Sequence, residues 1–124
     1  MFKTNEDCSV YLTRGDAICF SVSANGSDGT AYSFKPGDEV RLKIFERKNC
    51  KRVLLSKKFA VTAESESVDI FLSSDDTKLG DVISKPQDFW YEIELNPETE
   101  PQTIIGYDED GAKIFRLYPE GNDN

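Results

Sequence analysis

The side chains with the clearest chemical potential in this sequence are basic ones, concentrated between Lys35 and Lys58. This segment holds nine basic residues against three acidic ones, a local charge of +6, whereas the rest of the chain carries −14 and the whole chain −8. Such an uneven charge distribution steers association with a complementary protein surface, including a second copy of the same chain. The predicted partner-binding residues are Arg41, Lys43, Phe45, Arg47, Lys48, Lys51 and Arg52.

Two other interpretations of this basic segment remain open. A hairpin over residues 41–58 could bind an anionic ligand or single-stranded nucleic acid, because bases stack on exposed aromatic rings. Strand alternation places Phe45 on the same side as Arg41 and Lys43, which allows such a platform. The net charge of −8 opposes phosphate binding. The hairpin can also be only a solubilised edge, since lysines on an edge strand discourage pairing between sheets.

The sequence lacks the residues on which most catalytic sites depend. It contains no histidine, which excludes Ser-His and Cys-His catalysis and nearly excludes zinc sites of the ordinary type. It has no glycine-rich phosphate loop, and its three cysteines show no Cys-x-x-Cys spacing and are expected to be reduced thiols. We therefore expect no enzymatic activity, no metal, no cofactor and no small-molecule substrate.

The acidic residues occur in clusters whose spacing fits structural roles. Glu92 and Glu94 are two positions apart on one predicted strand, which is typical of the solvated side of a sheet rather than of a glycosidase pair. Residues 108–111 fit a hairpin turn and lack the spacing of a calcium loop. The Arg-Gly-Asp tripeptide at 14–16 spells an integrin-recognition motif, but its position between two predicted strands indicates a turn.

The strands that must carry these side chains are visible as short runs in which apolar and polar residues alternate. A period of two describes strands with one buried and one solvated face. Several such runs, separated by turn residues and without a helical stretch, predict an all-β, antiparallel immunoglobulin-like β-sandwich of seven to nine strands. The predicted core consists of Ile18, Phe20, Val22, Val40, Leu42, Ile44, Val68, Ile70, Leu72, Tyr91, Ile93 and Leu95.

The length of the chain predicts a single domain over residues 1–124, with residues 1–8 and 119–124 expected to be flexible. No apolar stretch reaches the roughly 20 residues needed to cross a bilayer. Residues 1–7 are polar and do not resemble a secretory signal. We therefore expect the protein to be cytoplasmic when it is synthesised and to bind no membrane, and its net charge disfavours nucleic acid as the partner.

Several segments follow one another in an order that resembles a known family. They are Thr13-Arg14-Gly15-Asp16 with Phe20, Pro36-Gly37-Asp38 before the run to Ile44, Trp90-Tyr91-Glu92-Ile93, and Thr103-Ile104-Ile105. Over residues 9–118 this layout resembles phage and prophage virion proteins, in particular the immunoglobulin-like N-terminal domain of lactococcal-type baseplate upper proteins. The resemblance implies a non-enzymatic structural role, contacts with itself or with other tail components, and a location in the virion.

Overall fold

The protein folds into β-strands and turns. The computed structural model describes residues 2–4, 9–24, 30–47, 51–80, 84–96, 98–99, 101–106 and 113–120, with side chains from Ser9 onward except that of Lys51. Within these residues there is no helix, and so none that could cross a membrane. The strands are β1 (Phe2–Thr4), β2 (Val10–Thr13), β3 (Ile18–Val22), β4 (Glu39–Arg47), β5 (Lys51–Ala60), β6 (Val68–Leu72), β7 (Gln87–Leu95), β8 (Gln102–Ile105) and β9 (Lys113–Tyr118). The all-β prediction is confirmed.

Seven strands form one large mixed sheet in the order β1-β2-β9-β7-β4-β5, with β8 also paired to β7. β9 and β8 follow each other along one edge of β7, and β4 lies along its other edge. Most pairs are antiparallel, but β2 runs parallel to β9, from Val10 opposite Phe115 to Thr13 opposite Tyr118. The predicted antiparallel arrangement is therefore wrong for this pair. These strands come from opposite ends of the chain, so no hairpin imposes an antiparallel direction on them.

The second sheet is small and shares its core with the first. β3 and β6 pair antiparallel, with Ile18 opposite Leu72 and Val22 opposite Val68. Inward-facing residues of both sheets join one buried hydrophobic cluster. Every predicted core residue is buried except Phe20, which is half-buried and packs against the cluster. Further buried members are Val10, Leu12, Phe34, Val61, Leu79, Phe89, Phe115 and Leu117.

A turn over residues 73–80 covers part of the core beside the small sheet. The backbone N–H of Ser73 donates to Asp76 Oδ2 at 2.9 Å, and the N–H of Asp76 donates to Ser73 Oγ at 3.2 Å. The fully buried Thr77 donates its hydroxyl proton to the carbonyl of Asp16 at 2.8 Å. These bonds satisfy polar groups that would otherwise be buried without partners. An irregular turn can therefore cover this part of the core in place of a strand.

The turn at residues 35–38 fixes the start of β4. Pro36 takes the second position, and Gly37 takes the third with a φ of +101°, a conformation that favours glycine. The N–H of Asp38 donates to the carbonyl of Lys35 at 2.9 Å, which closes the turn. The carboxylate of Asp38 then accepts the hydroxyl proton of Tyr32 at 2.8 Å, so the turn is tied to the segment before it.

The two faces of β6 should differ sharply in their contribution to stability. Ile70 is fully buried, whereas its neighbour Phe71 is 50% exposed. We expect Ile70→Ala to lower the free energy of unfolding by about 2–5 kcal/mol, because it removes core contacts and leaves a cavity. The matched control, Phe71→Ala, should cost less than about 1 kcal/mol. Urea unfolding followed by tryptophan fluorescence measures both, and equal losses would contradict this packing.

Candidate functional site

Three predicted partner-binding residues lie on the outer face, which is the surface of the large sheet turned away from the core. Alternate residues of β4 and β7 are buried in the core, so the residues between them point outward. The register opposes these outward residues in three pairs across the two strands: Arg41 with Glu94, Lys43 with Glu92 and Phe45 with Trp90. At the centre of the sheet, the outer face therefore has two basic residues on β4 (the basic lane) beside two acidic residues on β7 (the acidic lane). An aromatic pair follows them along the two strands.

The structure neutralises much of the basic segment within the chain. Arg41 Nη2 lies 2.8 Å from Glu94 Oε1, and Lys43 Nζ lies 3.9 Å from the same oxygen. Among the described residues, the segment forms three more ion pairs: Lys57 with Asp76 at 2.7 Å, Lys58 with Glu98 at 2.8 Å, and Arg52 with Glu46 of the segment itself at 3.0 Å. Carboxylates from other strands and loops thus pair with four of its basic residues. This weakens the positive potential that phosphate binding requires.

Phe45 is not available as an exposed aromatic platform or anchor. Its side chain is only 3% exposed, although it lies outside the core cluster. At this point the β4–β5 register shifts, so that Ile44 faces Leu55 while Phe45 faces Val53, and Leu54 is the extra residue. Such a bulge bends the strand locally. The exposed apolar side chain beside this bulge is Val53, at 48%.

The remaining predicted contact residues lie at the tip of the β4–β5 hairpin. Arg47 is exposed, and Arg52 is exposed with a positive φ of 61°. Lys48 and the side chain of Lys51 lie outside the described residues. The tip is therefore separated from Arg41 and Lys43, which belong to the middle of the sheet. The predicted seven-residue site divides into a central part and a tip.

Glu92 is the carboxylate of the outer face whose charge is least well satisfied. Burial raises the pKa of Glu92, and the neighbouring charge of Glu94 raises it further, against the opposing effect of Lys43 and Arg41. Glu92 forms no ion pair with any described residue, whereas Glu94 has two basic partners. Arg41 Nε is also buried without a hydrogen-bond partner in the described part of the chain. An isolated domain thus leaves part of this charge pattern uncompensated.

The outer face continues over β9 and β2 with tyrosines and an arginine. Trp90 lies opposite Ile114 of β9, and both are half-buried. Two residues further along each strand, Arg116 Nε pairs with Asp88 Oδ1 at 2.5 Å. The Arg116 guanidinium also lies over the Tyr11 ring, 5.1 Å from its centroid. Val53, Phe45, Trp90 and Ile114 therefore form one apolar row across four strands, with charged rows on both sides.

Arg14 of the Arg-Gly-Asp tripeptide is a buried structural residue. Its guanidinium donates to the carbonyls of Leu79 and Gly80 at 3.2 and 2.9 Å and pairs with Glu120 at 2.7 Å. The tripeptide forms the expected turn, in which Gly15 has a φ of +90°. The arginine cannot be presented to a receptor in this conformation. A sequence pattern alone does not reveal this role, because the carbonyls lie more than sixty residues away.

Other recognisable chemistry is sparse in the described residues. No group of three or more His, Cys, Asp or Glu side chains there could hold a metal ion. Cys19 is an exposed thiol, and Cys8, Cys50 and the acidic turn at 108–111 lie outside the described residues. Comparisons with protein-family models, curated proteins and solved structures found no match. The outer face of the large sheet is thus the best-defined candidate site.

The uncompensated charge of Glu92 has a pH-dependent consequence. Since its pKa is raised on folding, the folded protein holds this proton more tightly, and stability falls as the pH rises from the ordinary glutamate value of 4.5 through the raised value. We expect Glu92→Gln to increase the free energy of unfolding at pH 7 by less than about 1 kcal/mol, because the group is partly hydrated. The increase should vanish below about pH 4.

Urea titrations at several pH values, on dilute protein, measure this effect. The matched control is Glu98→Gln, because the hydrogen bond and charge of Lys58 lower the pKa of Glu98. That group stabilises the fold above its ordinary pKa, so its removal should have the opposite sign at pH 7. A Glu92→Gln variant that is less stable than the wild type at pH 7 would contradict the assignment.

The buried arginine should matter far more than an exposed one. Arg14→Met removes charged hydrogen bonds and leaves the carbonyls of Leu79 and Gly80 unpaired, so we expect a loss of about 2–3 kcal/mol. The control Arg52→Met removes an exposed ion pair with Glu46 and should cost less than about 1 kcal/mol. Thermal and urea unfolding compare the two, and similar losses would disprove the role of Arg14.

Proposed function

We propose that this chain is an immunoglobulin-like β-sandwich that serves as a non-enzymatic assembly module of a phage or prophage virion, such as a tail or baseplate. It works through protein–protein contact at the outer face of its large sheet. The observation that carries the proposal is the apolar row across four strands, in which Val53, Trp90 and Ile114 are accessible beside the buried Phe45 and charged rows lie on both sides. A partly exposed tryptophan with a polar surround is typical of the centre of a protein interface.

The immunoglobulin-like assignment is supported by the order of the strands. Under this assignment the run β9-β7-β4-β5 takes the order of strands G, F, C and C′ of a variable-type domain, and β3 with β6 takes the place of B and E in the opposite sheet. In the described residues this second sheet has two strands rather than four. The turn at 73–80, with Thr77 and Leu79 buried, supplies part of the cover that further strands would give.

The virion assignment is supported by the sequence resemblance over residues 9–118. Its segments include the turn at 14–16, the turn at 35–38 that leads into β4, and Trp90 in β7, which belongs to the apolar row. These segments begin or form strands of the large sheet or turns beside it. Flanking genes that encode tail or capsid proteins would support this part of the proposal, and flanking metabolic genes would count against it.

Protein contact at the outer face predicts different behaviour for two exposed apolar residues. Val53 is 48% exposed on the large sheet, and Phe71 is 50% exposed on the small one. We expect the wild type to form a complex with a co-expressed protein encoded beside its gene. Val53→Asp should weaken that complex about tenfold or more, because it desolvates a charge in an apolar contact, whereas Phe71→Asp should leave it intact.

The measurement is sedimentation velocity of purified, mixed components, with circular dichroism as the check on folding. A separate sample contains a short oligothymidylate at low and at moderate salt. Equal behaviour of the two variants would contradict the outer face as the contact surface. Oligonucleotide binding that weakens steeply with salt, without any protein complex, would replace the proposal with the nucleic-acid interpretation.

A further inference from the structure

We infer that the outer face binds a second copy of this chain around a two-fold axis that runs parallel to the strands, midway between β4 and β7. This inference rests on the proposed function and names the partner for the same surface. It follows from the register of four neighbouring strands and from the charges and apolar side chains that this register places opposite one another. Among the described residues, Phe71 is exposed like Val53 but has no comparable row of apolar neighbours, because the residue opposite it on β3 is Cys19.

The symmetry operation explains the charge pattern. A two-fold axis along the strands turns one sheet over and lays β4 of one copy on β7 of the other. Because Arg41 and Glu94 occupy one row of the register and Lys43 and Glu92 the next, each basic residue meets the acidic counterpart of its own neighbour. The basic lane of each copy thus faces the acidic lane of its mate. A face with this arrangement is complementary to itself.

The same operation matches the apolar row. Phe45 and Trp90 flank the axis, and β5 and β9 lie one strand further out on either side. Since neighbouring strands are evenly spaced by about 4.8 Å, Val53 of one copy falls opposite Ile114 of the other. Val53 is exposed and Ile114 is half-buried, so the contact covers apolar surface that the single domain leaves in water.

The dimer also compensates the charge that one copy leaves unpaired. Among the described residues of a single chain, Lys43 forms an ion pair with Glu94 alone, at 3.9 Å, and Glu92 forms none. In the dimer each Glu92 lies opposite Lys43 of the mate, twice by symmetry. The pKa of Glu92 is raised in the single chain because burial and the charge of Glu94 outweigh the effect of Lys43 and Arg41. A second basic neighbour, from the mate, would stabilise its charged form.

The size of the surface sets the strength of the contact. Four strands are about 20 Å across and a nine-residue strand is about 30 Å long, which gives roughly 600 Å² on each copy. Stable interfaces bury about 800 Å² on each partner. Twisted sheets that pack face to face also cross at about −30°, which confines contact to the centre. We therefore expect a reversible dimer with a dissociation constant on the order of micromolar or weaker.

Paired charge reversals test this arrangement. Lys43→Glu places two acidic residues opposite each other in its homodimer, and Glu92→Lys places two lysines opposite each other. The self-association affinity of each variant should therefore fall by about tenfold or more. An equimolar mixture should recover the wild-type affinity, because every interchain pair is again Lys with Glu. Within either chain the two positions still carry like charges, so recovery reports only contact between chains.

Sedimentation velocity over a wide concentration range gives the three affinities, and circular dichroism reports folding. Asp69→Lys, on the exposed face of the small sheet, is the matched control and should dimerise as the wild type does. A second measurement avoids charge reversal. With the native cysteines replaced by serine, a bis-maleimide cross-linker about 10 Å long, matched to the spacing of packed sheets, should link a mixture of Val53→Cys and Ile114→Cys chains into heterodimers faster than it links either variant to itself.

The outcomes separate this inference from the proposed function. A wild type that stays monomeric at every concentration, or a mixture that does not recover affinity, overturns the two-fold dimer. If the dimer fails in this way but Val53→Asp disrupts a complex with a co-expressed protein, the proposed function stands. If neither self-association nor a Val53-dependent complex occurs, both fail.

Discussion

The pairing of β4 with β7 is the constraint on which the rest of the structure depends. Its register buries three apolar residues of each strand in the core and thereby sends the residues between them to the outer face. A slip of one residue would exchange the two sets and place charged side chains in the core. The order of charges on the outer face is thus fixed by the packing on the opposite side of the same strands.

The same constraint governs the electrostatics. The basic segment is contiguous in sequence, but β4 lies in the sheet beside the acidic strand β7, and β5 lies near carboxylates of distant loops. The result is a set of local ion pairs rather than one positive surface. Glu92 is left without an ion pair among the described residues, because Arg41 and Lys43 both pair with Glu94. A surface of this kind favours a partner with the same alternating charge over a uniformly anionic one.

The small sheet leaves part of the core to be covered by other segments, since its two strands are too few to cover the inner face of the seven-stranded sheet. The turn at 73–80 provides part of the cover and brings the backbone carbonyl of Leu79 into the interior. The Arg14 guanidinium donates to this carbonyl and to the partly buried carbonyl of Gly80, and the Thr77 hydroxyl donates to the backbone of Asp16. Buried polar groups need such partners, because each unpaired one costs about 1–3 kcal/mol. The stability of this end of the fold therefore rests on hydrogen bonds as well as on apolar packing.

The sequence by itself determined the all-β class, most of the core and the turns at 14–16 and 35–38, because side-chain alternation and the backbone limits of proline and glycine are local properties. Phe45 marks the limit of local rules: alternation predicts that it points to the outer face, but its near-complete burial there is a property of the tertiary structure. The parallel pairing of β2 with β9, the ion pairs of Arg41 and Lys58, and the buried position of Arg14 were decided only by the tertiary structure. Each depends on residues far away in the chain, and a one-dimensional pattern carries no information about which distant groups will meet.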